Sequence, residues 1–95
     1  MPFEHLIFRI HAIRRMLERN ISSADEVKTI LQTGKAIESY PQDKPYPSYM
    51  MLGWLSHRPI HVVAADNTTE KETVVITVYE PDPAQWDSQF ERRKK

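Results

Sequence analysis

His57, Arg58 and His61 stand within "GWLSHRPIHVVAAD", residues 53–66, just ahead of the apolar run Val62, Val63, Ala64 and Ala65. An imidazole titrates near neutral pH and can pass a proton as general acid or base. A guanidinium can hold a phosphate through two charge-assisted hydrogen bonds. Three such groups so close together either close a turn or belong to a site. His57 and His61 are four apart, which on a helix would put both on one side. Here they flank Pro59 where a strand begins. No HExxH pattern exists, and no acidic cluster lies near any of the four histidines, so neither a metal site nor a cofactor is expected.

The strands around these residues decide where they point. "PIHVVAAD" and "ETVVITVYE" alternate in the manner of strands and are joined by the polar loop "NTTEK". In the first, Ile60, Val62 and Ala64 share one face, and His61, Val63 and Ala65 the other. In the second, Val74, Ile76 and Val78 are expected to face one way, and Thr73, Val75, Thr77 and Tyr79 the other. With residues 60–65 and 73–79 paired antiparallel and the aliphatic sets directed at the helices, His61 falls on the far face beside Thr77 or Tyr79. That places an imidazole, a hydroxyl and a phenol on an open sheet face, with Arg58 nearby at the turn.

The elements before these strands supply the other candidates. "LIFRIHAIRRMLERN" has helical spacing, with Leu6, Ile10, Ile13 and Leu17 as the expected buried stripe. In an alternative reading Leu6–Phe8 are extended and the helix begins near Arg9. Either way His11, Arg15 and Arg19 share a face, since they are four apart. "ISSADEVKTILQTG" is a second helix: Ser22 or Ser23 caps it, Ser23 with Glu26 has capping-box spacing, and Gly34 stops it. Its apolar stripe is Ala24, Val27, Ile30 and Leu31. After Gly34 the period changes. "KAIESY" and "SYMMLGWL" read as strands separated by the proline-rich loop "PQDKPYP". In "PDPAQWDSQF", Trp86 and Phe90 are four apart and suited to docking on the domain. The expected fold is α+β: two N-terminal helices packed on one face of an antiparallel sheet of about four strands.

The 95 residues suit a single domain spanning 1–95, and 40% apolar content supplies one modest core. Residues 91–95, "ERRKK", read as a flexible basic tail. No run is long enough to span a bilayer and no secretory signal is seen at the start, so a cytoplasmic protein without membrane contact is expected. Without cysteine there are no disulfides. Zero net charge, from 13 basic and 13 acidic residues, conceals a basic start and end around an acidic middle, and the basic ends could meet phosphate.

"HAIRRMLERNIS", "GKAIESYPQDKPYPSYMMLGW", "RPIHVV" and "VITVYEPDPAQWD" together resemble a bacterial family known as domain of unknown function four-two-five-eight. The resemblance covers roughly residues 5 to 90. Its pattern falls on His11, Ala12, Arg15, Met16 and Arg19, then on Tyr40, Tyr46, Arg58, His61, Thr77 and Tyr79. It implies a fold similar to the RelE-like and barnase–EndoU–colicin–RelE ribonucleases, some of which are toxins encoded beside an antitoxin protein. The function so implied is a metal-independent endoribonuclease that cleaves RNA through its 2′-hydroxyl. Such chemistry needs a base, an acid and cations near the phosphorane oxygens. His11 and His61 are the candidate base and acid, with Arg58 and Tyr79 completing the catalytic set. Arg15, Arg19, Tyr40, Tyr46 and Thr77 are the candidate RNA contacts. The alternative is a non-catalytic protein-interaction module of the same fold. Convergence of a histidine with an arginine in one cleft separates the two.

Overall fold

The structure, a computed structural model, describes residues 5–20 and 24–94. The elements run β1 (Leu6–Phe8), α1 (Ile10–Glu18), α2 (Ala24–Thr33), β2 (Lys35–Tyr40), β3 (Ser48–Leu55), β4 (Arg58–Asn67) and β5 (Glu72–Tyr79). The Ser22 and Ser23 caps fall outside the described residues. α2 otherwise follows its sequence: Asp25 and Glu26 sit in its first turn, where the helix dipole favours them. Val27, Ile30 and Leu31 are buried, and the N–H of Gly34 donates back to the Ile30 carbonyl.

The strands form one five-stranded sheet in the order β1-β5-β4-β3-β2. β2 through β5 pair antiparallel with their neighbours, while β1 pairs parallel with β5. The sheet is therefore mixed and has one strand more than expected. Leu6–Phe8 are extended and α1 begins at Ile10, as in the alternative reading of this segment, and pairing with Thr73–Val75 makes β1 the fifth strand. The two-residue turn Ser56–His57 joins β3 to β4, with Ser56 in the left-handed region at φ 58 that short hairpin turns use.

Both helices cover one face of the sheet. Ala12, Met16, Val27, Ile30 and Leu31 pack there on Ile60, Val62, Ala64, Val75 and Val78. Each fully buried aliphatic side chain contributes about 1.5–3 kcal/mol through removal from water.

Three details depart from the expected pattern. On α1 the buried residues are Ala12 and Met16, whereas Ile10, Ile13 and Leu17 are exposed. The 3.6-residue period marks two partly apolar stripes on this helix. The link from β1, which is anchored on β5, selects the one that faces the sheet, and Ala12 lets the backbones approach. On β5 a bulge falls at Ile76, since Val63 pairs with Thr77 and Ala64 with Val75. The extra residue changes the parity: Thr73, Val75 and Val78 share the helix side, and Val74, Thr77 and Tyr79 the other. Lastly, the residues expected as a loose tail pair back. Arg93 bridges to Trp86, the Lys94 N–H donates to the Gln85 carbonyl, and Glu91 forms an ion pair with Lys35.

Candidate functional site

His61 lies on the sheet side away from the helices, in direct register with Tyr79. That side is not open here. Residues 81–94 cross it and seat Trp86 on the imidazole, with ring centroids 4.4 Å apart at 79°. Phe90 meets Trp54 edge-on at 6.0 Å. The cover follows from composition: Leu52, Trp54 and Val63 would otherwise leave an apolar surface in water. His61 is consequently 0% exposed.

Both imidazole nitrogens are engaged. Nε2 is 2.8 Å from the Phe90 carbonyl, which can only accept, so Nε2 carries a proton and donates. Burial lowers the pKa of His61 and outweighs the opposing hydrogen bond to Phe90, so the neutral ring is favoured. Its Nδ1 then has a free lone pair, and the Tyr79 hydroxyl, 3.1 Å away, donates to it. Burial raises the Tyr79 pKa and keeps the phenol protonated. The sulfur of Met50, 3.8 Å from the Tyr79 oxygen, is a weaker second acceptor. His61 therefore reaches solvent only through Tyr79.

Tyr79 borders a cleft of about 380 Å³ between α1 and the chain after β5. Arg15 and Arg19 form the α1 wall, and Gln85, Trp86 and Arg93 the other. The rotation of α1 that buries Ala12 and Met16 carries Arg15 and Arg19 to the flank beside Tyr79. Arg93 stacks 5.0 Å above the Trp86 ring and stands 3.8 Å from the Glu38 carboxylate. Two acids, Glu80 and Asp82, also line the cleft. Each is already engaged: Glu80 accepts from Arg58 at 3.0 Å and Asp82 from the Ala84 N–H at 2.8 Å.

The remaining candidates scatter. Arg58 uses its guanidinium internally, donating to Glu80 and to the carbonyls of Arg19 and Asn20. It ties the C-terminus of α1, where orphan carbonyls attract a cation, to β4 and β5. His11 is exposed on α1, one turn before Arg15 on the same flank, and does not line the cleft. Tyr40 donates to Glu38, and burial followed by that bond pushes its pKa up to about 12. Thr77 is half-buried opposite Val63. Tyr46 lines a different cavity, with Arg9 and Lys44. Thus Arg15, Arg19 and Tyr79 meet in the cleft. No histidine lines it, and His61 is coupled to it only through the Tyr79 hydroxyl, whereas His11, Tyr40, Tyr46, Arg58 and Thr77 do not join them. Gln85 and Arg93 were not among the sequence candidates. For Arg93 the signal was the basic C-terminal run, and Gln85 carried none.

Among the described residues no group of three or more His, Asp or Glu is placed to hold a metal ion. Nor is any helix among them long and apolar enough to cross a membrane. Residues 8–80 match a protein family described as Domain of unknown function (DUF4258). No curated protein and no solved structure matched the chain.

Proposed function

The chain belongs to the DUF4258 family, whose description leaves function open, and from that premise we propose that it is a metal-independent endoribonuclease of toxin type. The observation that carries this reading is the meeting of three guanidinium groups, Arg15, Arg19 and Arg93, with Tyr79 in one cleft. Guanidinium groups suit the non-bridging oxygens of a phosphodiester and the charge that grows there as a fifth oxygen approaches phosphorus. The same proposal includes a bacterial, cytoplasmic protein of RelE-like architecture with an antitoxin as its protein partner. Helices that precede a run of antiparallel strands are in keeping with that architecture.

In this mechanism the RNA 2′-hydroxyl donates to the Tyr79 oxygen. As it attacks phosphorus, its proton passes to Tyr79 while the Tyr79 proton passes to Nδ1 of His61. The phenol is regenerated and His61 becomes an imidazolium that still donates from Nε2 to Phe90. The bond from phosphorus to the 5′-oxygen breaks, leaving a 2′,3′-cyclic phosphate and a 5′-hydroxyl. The proton for the 5′-oxygen comes from solvent in the cleft, since His11, though on the Arg15 flank, does not line it. Arg15, Arg19 and Arg93 hold the phosphate throughout. Arg58 positions the end of α1 and does not touch substrate.

The test is cleavage of a single-stranded RNA in excess chelator, with products analysed for the cyclic phosphate. Tyr79→Phe removes the relay and is expected to cut the rate by roughly two to four orders of magnitude. A 2′-deoxy analogue should bind uncut. Arg15→Ala and Arg19→Ala should each flatten the salt dependence of binding by about 0.7 in logarithmic slope. Folded wild-type protein that cuts no RNA, or a Tyr79→Phe protein that cuts at the wild-type rate, sinks the proposal.

One observation favours the interaction-module reading instead. Ile10, Ile13 and Leu17 lie 71%, 46% and 78% exposed along one side of α1, a surface suited to a partner chain. On that reading the protein neither cuts nor binds RNA, and lysines at these three positions abolish partner binding without unfolding the domain.

A further inference from the structure

A second cavity, of about 280 Å³, lies at the far end of β5 from the cleft, and the chemistry described above does not use it. Its floor is Ala65, Val74 and Ile76, and its rim carries Arg9, Lys44 and Tyr46 together with one acid, Asp43. Ala65 and Val74 are register partners on the side of the sheet away from the helices, the same side as Thr77 and Tyr79. Arg9 directly follows β1, which pairs with β5 there. Tyr46 and Lys44 come from the loop between β2 and β3, at the Ser48–Ala65 end of the sheet. Asp43 in that loop accepts from the Ser48 hydroxyl. Neither Arg9 nor Lys44 forms an ion pair with a described residue.

This lining has a definite chemistry. An aromatic ring beside an aliphatic floor grips a flat ring, as base-stacking platforms do. Two cations at the rim suit a phosphate. A purely apolar ligand would leave both cations unanswered, and a bare anion would leave the floor and Tyr46 unused. A nucleotide unit satisfies both parts. Val74 and Tyr79 are separated along one strand by roughly 15 Å at about 3.3 Å per residue, allowing for the bulge. That is a span of a few nucleotides of single strand.

We propose that this cavity is a second subsite for the RNA strand whose phosphate lies in the cleft. Tyr46 stacks one unpaired base over Val74 and Ile76, and Arg9 and Lys44 hold the neighbouring phosphate. The inference rests on the ribonuclease reading and adds substrate class to it: single-stranded RNA long enough to reach both sites. A duplex, whose bases are already paired and stacked, cannot place one there.

Fluorescence anisotropy in excess chelator tests this, using fluorescein-labelled 2′-O-methyl oligouridylates of two and eight nucleotides, which bind but lack the nucleophile. Wild type should prefer the octamer by at least tenfold. In Tyr46→Ala, and separately in the Arg9→Ala/Lys44→Ala double variant, that preference should collapse, with octamer binding weakened about 5- to 100-fold. Arg15→Ala should weaken both lengths. The double variant keeps the test decisive if Tyr46→Ala unfolds. Should both retain the full octamer preference while Arg15→Ala loses affinity, the subsite is overturned and the RNA-binding reading stands. Wild type that binds neither length overturns both.

Discussion

Replacing His61 with alanine should first of all destabilise the protein. The ring is fully buried, and its removal deletes the donor to the Phe90 carbonyl and the acceptor of the Tyr79 hydroxyl. An orphaned buried polar group costs about 1–3 kcal/mol. Tyr79 can turn to the Met50 sulfur, so the Phe90 carbonyl bears the larger loss. Two edge-on ring contacts, to Tyr79 and Trp86, disappear as well, each worth about 0.5–1.5 kcal/mol. The expected total is roughly 3–5 kcal/mol, the range of large aromatic truncations. Urea unfolding followed by tryptophan fluorescence measures it.

The same residue sets a pH dependence. The folded-state pKa of His61 is lowered, by burial above all. Above the unfolded value of about 6.5 both states hold a neutral ring. As pH falls below it the unfolded chain takes a proton that the folded chain refuses. Stability then falls by up to about 1.4 kcal/mol per pH unit until the folded-state pKa is reached. His61→Gln cannot titrate, so the margin of wild type over this variant should narrow between pH 7 and pH 5. A His61→Ala protein within about 0.5 kcal/mol of wild type, or a margin that widens on acidification, refutes the reasoning.

Leu17→Lys should leave the free energy of unfolding within about 0.5 kcal/mol of wild type, because the side chain is 78% exposed. Met16→Ala, one residue away, should cost about 2–5 kcal/mol. The reverse ranking in thermal unfolding would restore the stripe first expected from the sequence. Gly53→Ala would set a Cβ 2.7 Å from both branches of Ile30, and should lower stability by about 1–3 kcal/mol. A melting temperature equal to wild type would show that α2 shifts freely on the sheet.

Much of this molecule is decided locally and is legible in its sequence. α2, the antiparallel run from β2 to β5 and the docking of Trp86 follow from period, turn residues and apolar spacing, all of which act within a few residues. The far-face position of His61 beside Thr77 or Tyr79 was also legible, since the bulge on β5 lies before Thr77 and leaves that parity intact; the register then sets Tyr79 directly opposite. What the sequence did not determine are relations between distant segments. The face of α1 that is buried depends on β1 pairing with β5, a contact between residues near 7 and near 74. That one docking exposes Ile10 and Leu17 and turns Arg15 and Arg19 into the cleft. Arg58 has the type and place of a phosphate ligand, yet the nearby end of α1 claims its donors. His61 has the type of a surface base, yet the returning residues 81–94 seal it and leave Tyr79 as its outlet. Residue type sets which chemistry a group can perform. Desolvation and the competition among neighbours for its hydrogen bonds determine whether it is free to perform it, and those arise only when the chain has closed on itself.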